Sequence, residues 1–373
     1  MTKLNKGEWG EPYVALRLAG DGRLYISDEN GNKIPDEWMN VLEVIRRETA
    51  ERTVTYGRDP ETTMVTVKVN GDECMLLPAS DFLVAANTLA ADIGSGKGSS
   101  FDVSESVQKF LSIAEFLHMK AKSKDKSDIY LTTLDPRTSI QRQEIGFSVK
   151  TKFGQNPTLF NTARASAVRY RLPSFDRARM EKVNGIVNDK GHAAVMDRCE
   201  EILAGGCSPV YDGYALARRV GCEVFKDNLD LIDPRLPIVI ERLLWNHFFG
   251  AQTSVDLPVI VQQVVEQNPC DIARPEVKYP YMVKAFLYAA YCGMTASTFW
   301  DGRAEVNGGF ITVDENGQVL AHYAPESEAF KGYLYNNCYL EFPSTGKDHG
   351  DYAYVYEVDG DFYFNLNFQI RYR

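Results

Sequence analysis

The sequence predicts an α/β chain of the α+β kind. It should hold a mixed sheet flanked by helices, with a mostly helical middle and a β-rich C-terminal region. Three observations predict it. Segments of strict period-two alternation, bounded by hairpin turns, recur in residues 1–175 and again in 301–373. Residues 176–300 carry apolar positions at helical spacing. Hydrophobic residues make up 44% of the 373 and charged residues 25%, the balance of a soluble globular protein. The expected organisation is therefore a core over 1–175 with an N-terminal helix and inserted hairpins, a helical region over 176–300 and a β-rich region over 301–373. All three can pack as one domain.

In chain order, residues 6–19 read as a short helix with Pro12 near its start and Gly20 at its end. Leu24 to Ser27 and Lys33-Ile34 flank the turn-rich Asp28-Glu29-Asn30-Gly31-Asn32. Glu37 to Arg52 reads as an amphipathic helix. Met64 to Val69 and Glu73 to Leu77 flank Asn70-Gly71, a strong hairpin turn. Ser80 to about Ala91 and Val103 to Met119 read as helices, joined through a flexible Gly94 to Ser100 loop. Val168 to Leu172 alternates as a strand. Four helices are expected at 176–186, 192–203, 237–251 and 277–293. Strands at 310–313 and 319–323, then 352–358 and 362–370, close the chain around Asp314 to Gly317 and Asp359 to Asp361.

Composition excludes several function classes. No apolar run approaches a membrane span, and the first residues are not a signal peptide. The seven cysteines lie singly with no C-x-x-C pair, which favours reduced thiols in a cytoplasm over disulfides or structural zinc. Net charge is −10, yet His118 to Lys182 holds fourteen Lys/Arg against six Asp/Glu. A local basic face on an acidic protein suits a phosphate-backbone partner; a solvated, lysine-rich surface is the blander alternative.

Two motifs fall short. Gly94-Ser95-Gly96-Lys97-Gly98-Ser99 lacks the spacing of a phosphate loop and follows a helix, so it reads as a linker. His118-Met119-Lys120 with Asp125 fits the H-x-K-x-x-x-x-D start of phospholipase-D-type nucleases, but the downstream glycine and asparagine are missing.

The stronger signal lies at 127–152. In Glu144 to Lys152, Ile145, Phe147 and Val149 alternate with Glu144, Gly146, Ser148 and Lys150. Asp128, on a preceding strand, can meet Lys150 across one strand spacing. Phosphodiester hydrolysis needs an ion that polarises the phosphate and a cation near the attacking oxygen. Mg²⁺ is held by one or two carboxylates, water and phosphate. Asp128 supplies one carboxylate, and Lys150 would position the water. Ser148 stands where an acid is usual, so a second carboxylate must come from elsewhere. Glu11 is the preferred donor and Glu144 the alternative.

Several stretches resemble the HpaII-type restriction endonucleases: Asn5 to Val14, Leu24 to Asn30, Lys126 to Ile129, Glu144 to Asn161, Asn307 to Ile311, Pro343 to Thr345 and Phe364 to Ile370. They span nearly the whole chain in order. The resemblance implies a PD-(D/E)xK-type nuclease core and Mg²⁺-dependent cleavage of both strands of double-stranded DNA at a short palindrome, CCGG for the family. It matches Asp128 to the metal aspartate and Lys150 to the catalytic lysine. Asn161 and the Ser344-Thr345 loop stand as DNA contacts by position, beside turn and cap roles. Lys152, Arg164, Arg169 and Lys347 are available cations; nothing in the sequence chooses among them. A palindrome suits a two-fold homodimer, or a monomer that nicks twice. With no acid at 148, a catalytically degenerate DNA-binding protein is the alternative reading.

Overall fold

Helix α1 (Lys6–Asp21) forms although it contains Gly7, Gly10, Pro12 and Gly20, because burial outweighs propensity. Asn5 and Glu8 close its N-terminus as a reciprocal capping box. Gly22, at φ 65°, ends it in the left-handed conformation. The computed structural model describes residues 3–59, 62–119, 127–153, 156–187, 192–214, 223–249, 255–302, 308–323, 327–341 and 353–373. The chain divides into two compact units interleaved in sequence.

The first unit takes Met1–Pro157 and Glu305–Tyr333. After α1 come β1 (Arg23–Ser27), β2 (Lys33–Arg47), β3 (Thr53–Arg58), β4 (Met64–Val69), β5 (Asp72–Pro78), α2 (Ala79–Ser95), α3 (Glu105–Ile113), β6 (Ile129–Leu134) and β7 (Gln141–Thr151). These strands and two later ones, β11 (Gly309–Val313) and β12 (Val319–Tyr323), make one mixed sheet in the order β1-β12-β11-β7-β6-β2-β3-β4-β5. Strand β1 also pairs with β2, so six strands close a circuit. One face carries Val44, Leu131, Ile145, Phe147, Ile311 and Ala321, packed with Tyr13, Val14 and Leu16 of α1 in a single apolar cluster. Burying each large side chain there contributes about 1.5–3 kcal/mol.

The second unit takes Thr158–Ala304 and Leu334–Arg373. Its elements are β8 (Thr158–Phe160), β9 (Val168–Leu172), α4 (Arg177–Asn184), α5 (His192–Ala204), β10 (Val210–Tyr214), α6 (Val224–Ile232), α7 (Leu236–Phe249), α8 (Leu257–Gln267) and α9 (Pro275–Tyr291). Helix α10 (Ser327–Asn337) crosses the division, and β13 (Cys338–Glu341), β14 (Val355–Val358), β15 (Asp361–Leu366) and β16 (Gln369–Tyr372) follow it. They form a four-stranded sheet β10-β9-β15-β14 and a three-stranded sheet β13-β16-β8. Phe160 stacks on Phe368 and meets Phe225 and Phe286, so four aromatic rings tie strands to helices.

The mixed α/β class and the helical middle are present. Three element expectations are overturned. Glu37 to Arg52 is not a helix: Lys33–Arg47 is one long strand. Its pairing with β6 shifts between Val41 and Glu43. That bulge puts Val41 and Val44 on one face at a spacing of three, which imitates a helical stripe. The helix expected to reach Met119 ends at Ile113, and Glu115 turns at φ 61°. The stretch 362–370 is two strands in different sheets, broken at Asn367.

The Asn70-Gly71 turn has φ 53° and 93°, the pair of positive values a tight hairpin requires. Six cysteines are free thiols, and Cys222 lies outside the described residues. Among the described residues no helix is long and apolar enough to cross a membrane.

Candidate active site

Strands β6 and β7 pair antiparallel with Ile129 opposite Phe147 and Tyr130 opposite Gly146. This register brings Asp128, just before β6, alongside Ser148. The Asp128 amide donates to the Phe147 carbonyl at 2.9 Å. Its carboxylate turns back onto β7: Oδ2 accepts from Ser148 Oγ at 3.0 Å and from the Val149 amide at 2.7 Å. Two donors on one oxygen fix the plane of the carboxylate.

Lys150 follows two residues after Ser148 on the same face. Strand β11 runs parallel to β7, with Phe310 opposite Ser148 and Thr312 opposite Lys150. The Lys150 ammonium lies 5.6 Å from the centre of the Phe310 ring. Phe310 in turn meets Phe330 of α10 edge to face at 5.5 Å. Burial pushes the Lys150 pKa down, and the charges of Asp128 and then Glu11 pull it back up. Lys150 thus senses both carboxylates at once.

Glu11 reaches that field from α1, which packs on the opposite, apolar face of β7. The contact is close: a Cβ on Gly10 would lie 2.1 Å from Thr151 Cγ2. Only glycine allows the helix this near the strand. Among the described residues, the buried Thr151 hydroxyl finds no hydrogen-bond partner.

Glu144 sits elsewhere. The β6–β7 register shifts between Leu131 and Thr133, so alternation in β7 is interrupted there. Glu144 takes φ 50°, and its carboxylate pairs with Arg47 at 2.5 Å. Read as a helix, the segment holding Arg47 gave no reason to single that residue out. Strand pairing is what brings it to this face.

The other expected residues scatter. Lys152 is exposed, with its amide donating to the Val313 carbonyl at 2.9 Å. Its charge, after burial, helps lower the pKa of His322 to about 3. His322 Nε2 bonds the Thr312 hydroxyl at 2.9 Å and the ring stacks on Tyr333. Asn161 and Arg164 are exposed in the second unit. Arg169 is buried and paired with Asp212 at 2.5 Å. Ser344, Thr345, Lys347 and the lysines at 120–126 lie outside the described residues. His118 follows α3 in an exposed stretch without regular structure, where its backbone carbonyl accepts from Arg46.

Among the described residues no cluster of three or more His, Cys, Asp or Glu is placed to hold a metal ion. Asp128 and Glu11 are the two carboxylates whose charges act on Lys150; Mg²⁺ takes one or two carboxylates when water and phosphate fill its other positions.

Comparison with known proteins gives a consistent picture. Residues 5–372 match the HpaII restriction endonuclease family. The chain is 28% identical over 371 residues to the type II restriction enzyme HpaII of Haemophilus parainfluenzae, covering 99% of this chain and 98% of that protein. No solved structure matches it.

Proposed function

The chain belongs to the HpaII restriction endonuclease family and is a site-specific deoxyribonuclease; from that premise we propose that it cuts both strands of DNA at CCGG, with Mg²⁺, at the Asp128–Lys150 site. The reading gives the sheet of the first unit the part of a PD-(D/E)xK core. The observation that carries it is Lys150, which lies in the fields of both Asp128 and Glu11 beside a carboxylate anchored by Ser148 and Val149.

Asp128 and Glu11 would hold the metal. When bound, Mg²⁺ polarises the phosphate and lowers the pKa of water. Lys150 hydrogen-bonds the attacking water and holds its oxygen in line with the 3′ leaving oxygen. The water oxygen bonds to phosphorus and gives up a proton as the bond to O3′ breaks, and O3′ takes up a proton from solvent, leaving a 5′-phosphate and a 3′-hydroxyl. Ser148 keeps the Asp128 carboxylate turned toward that position. The Phe310 ring, backed by Phe330, lies beside the Lys150 ammonium, and the low-dielectric surroundings strengthen its action on the phosphate. A two-fold dimer would present two such sites to a palindrome.

The test compares wild type with Asp128→Ala and Lys150→Ala on a duplex containing CCGG. Both variants should lose Mg²⁺-dependent cleavage by at least about a hundredfold and still bind the duplex. Full cleavage in EDTA would overturn the metal mechanism. One observation favours a second reading, a DNA-binding protein that does not cut: Ser148 occupies the acid position. Discrete fragments from unmethylated plasmid with Mg²⁺ would exclude it.

A further inference from the structure

Over the Tyr130 ring of β6, two residues along the chain from Asp128, the sheet presents a cation that the mechanism above leaves unused. Strands β2 and β6 pair with Ile45 opposite Tyr130. Two residues further along each strand come Arg47 and Asp128. The Arg47 guanidinium lies over the Tyr130 ring, 3.9 Å from its centre. One end of the guanidinium meets Glu144 at 2.5 Å. The stacked ring fixes its plane, and the carboxylate fixes its direction.

Three observations bear on what this exposed pair can do. Its neighbour Arg46 is fully committed, at 5% exposure, to Glu48 and the His118 carbonyl. Arg47 keeps a side chain 39% exposed, and Glu144 one 57% exposed. Glu144 is also a non-glycine residue held at φ 50°, a conformation that costs free energy in a β-bulge. The bulge aims this carboxylate at Arg47, and bulges beside active sites re-aim side chains in this way.

We infer that Arg47 is a DNA phosphate contact flanking the cleavage site, and that Glu144 is the internal carboxylate it leaves when the backbone arrives. A guanidinium matches phosphate oxygens in the two-pronged geometry with which it meets a carboxylate. Glu144 then serves as a place-holder: it keeps the guanidinium ordered on Tyr130 and surrenders it to a stronger anionic ligand. This inference rests on the nuclease reading of Asp128 and Lys150.

The experiment measures binding of the full chain to a short duplex containing CCGG, in EDTA, across a salt series. Each phosphate contact contributes about 0.9 to the slope of log K against log salt. Arg47→Ala should lower that slope by about one, and Arg47→Lys should restore it. A cross-strand clip of purely structural value would leave the slope alone. Glu144→Gln should tighten binding severalfold, and this gain should vanish in the Arg47→Ala background. A slope unchanged by Arg47→Ala, in a variant that melts like wild type, overturns the contact. A Glu144→Gln gain that persists without Arg47 overturns the exchange. Wild-type protein that shows no retention on the duplex would overturn the nuclease reading itself, and the inference with it.

Discussion

The Ser148 hydroxyl donates to Asp128 Oδ2 at 3.0 Å, so the residue two before the lysine orients a carboxylate and does not supply one. The Val149 amide shares the same oxygen at 2.7 Å. Ser148→Ala removes one of the two donors. Its expected effect is a fall of about tenfold in single-turnover cleavage rate, the kinetic equivalent of roughly one hydrogen bond. Melting should scarcely change, because the amide bond remains. A rate equal to wild type would show that the hydroxyl is idle.

Lys150 costs the fold stability at neutral pH. Burial lowers its pKa, so the folded chain binds that proton less tightly than the unfolded chain does. The penalty is therefore absent above the unfolded value, roughly 10.4, and is complete once pH has fallen through the folded one. Lys150→Met keeps the apolar stem and removes the charge. Cleavage should drop by about a hundredfold or more while the melting temperature at pH 7 rises. A lower melting temperature would contradict the assignment of burial as the dominant influence.

Glu11 is placed by a glycine beside it. A methyl at Gly10 would collide with Thr151 Cγ2 at 2.1 Å. Gly10→Ala should therefore push α1 off β7, costing roughly 1–3 kcal/mol in urea unfolding and reducing cleavage. Thr151→Ser deletes the colliding methyl and should recover more than half of both losses in the double variant. No recovery would mean that the collision is relieved elsewhere.

His322 gives the first unit an acid limit. Burial, then Lys152, hold its pKa down at about 3. A depressed histidine contributes stability that is complete above the unfolded value, roughly 6.5, and is lost as pH falls toward 3. The loss should reach roughly 3 kcal/mol by pH 4. His322→Gln should flatten urea-unfolding stability between pH 4 and 7; an unchanged slope would place the acid sensitivity in other groups.

Much of the site was legible because short-range rules govern it. Alternation from Ile145 to Val149 put Ser148 and Lys150 on one face, and the Asn70-Gly71 and Asp314 to Gly317 turns marked their hairpins. Asp128 could be paired with Lys150 because β6 and β7 are neighbours in sequence as well as in the sheet. What escaped notice depends on bulges and on distant partners. The Val41–Glu43 bulge disguised β2 as a helix and hid Arg47. The bulge at Glu144 broke an alternation that looked strict. Phe310 and Thr312 flank Lys150 through a parallel pairing between distant parts of the chain, which no local pattern announces.

That same parallel pairing sets a timetable for biosynthesis. Strand β7 has β6 on one edge as soon as it leaves the ribosome, but its other neighbour, β11, is translated only after residues 158–304. At ordinary elongation speeds the growing chain keeps that edge open for on the order of ten seconds. An unpaired edge strand is a template for wrong partners. It also means that Lys150 lacks its aromatic neighbour until the polypeptide is nearly finished. In that interval the open edge makes aggregation the hazard to the growing chain.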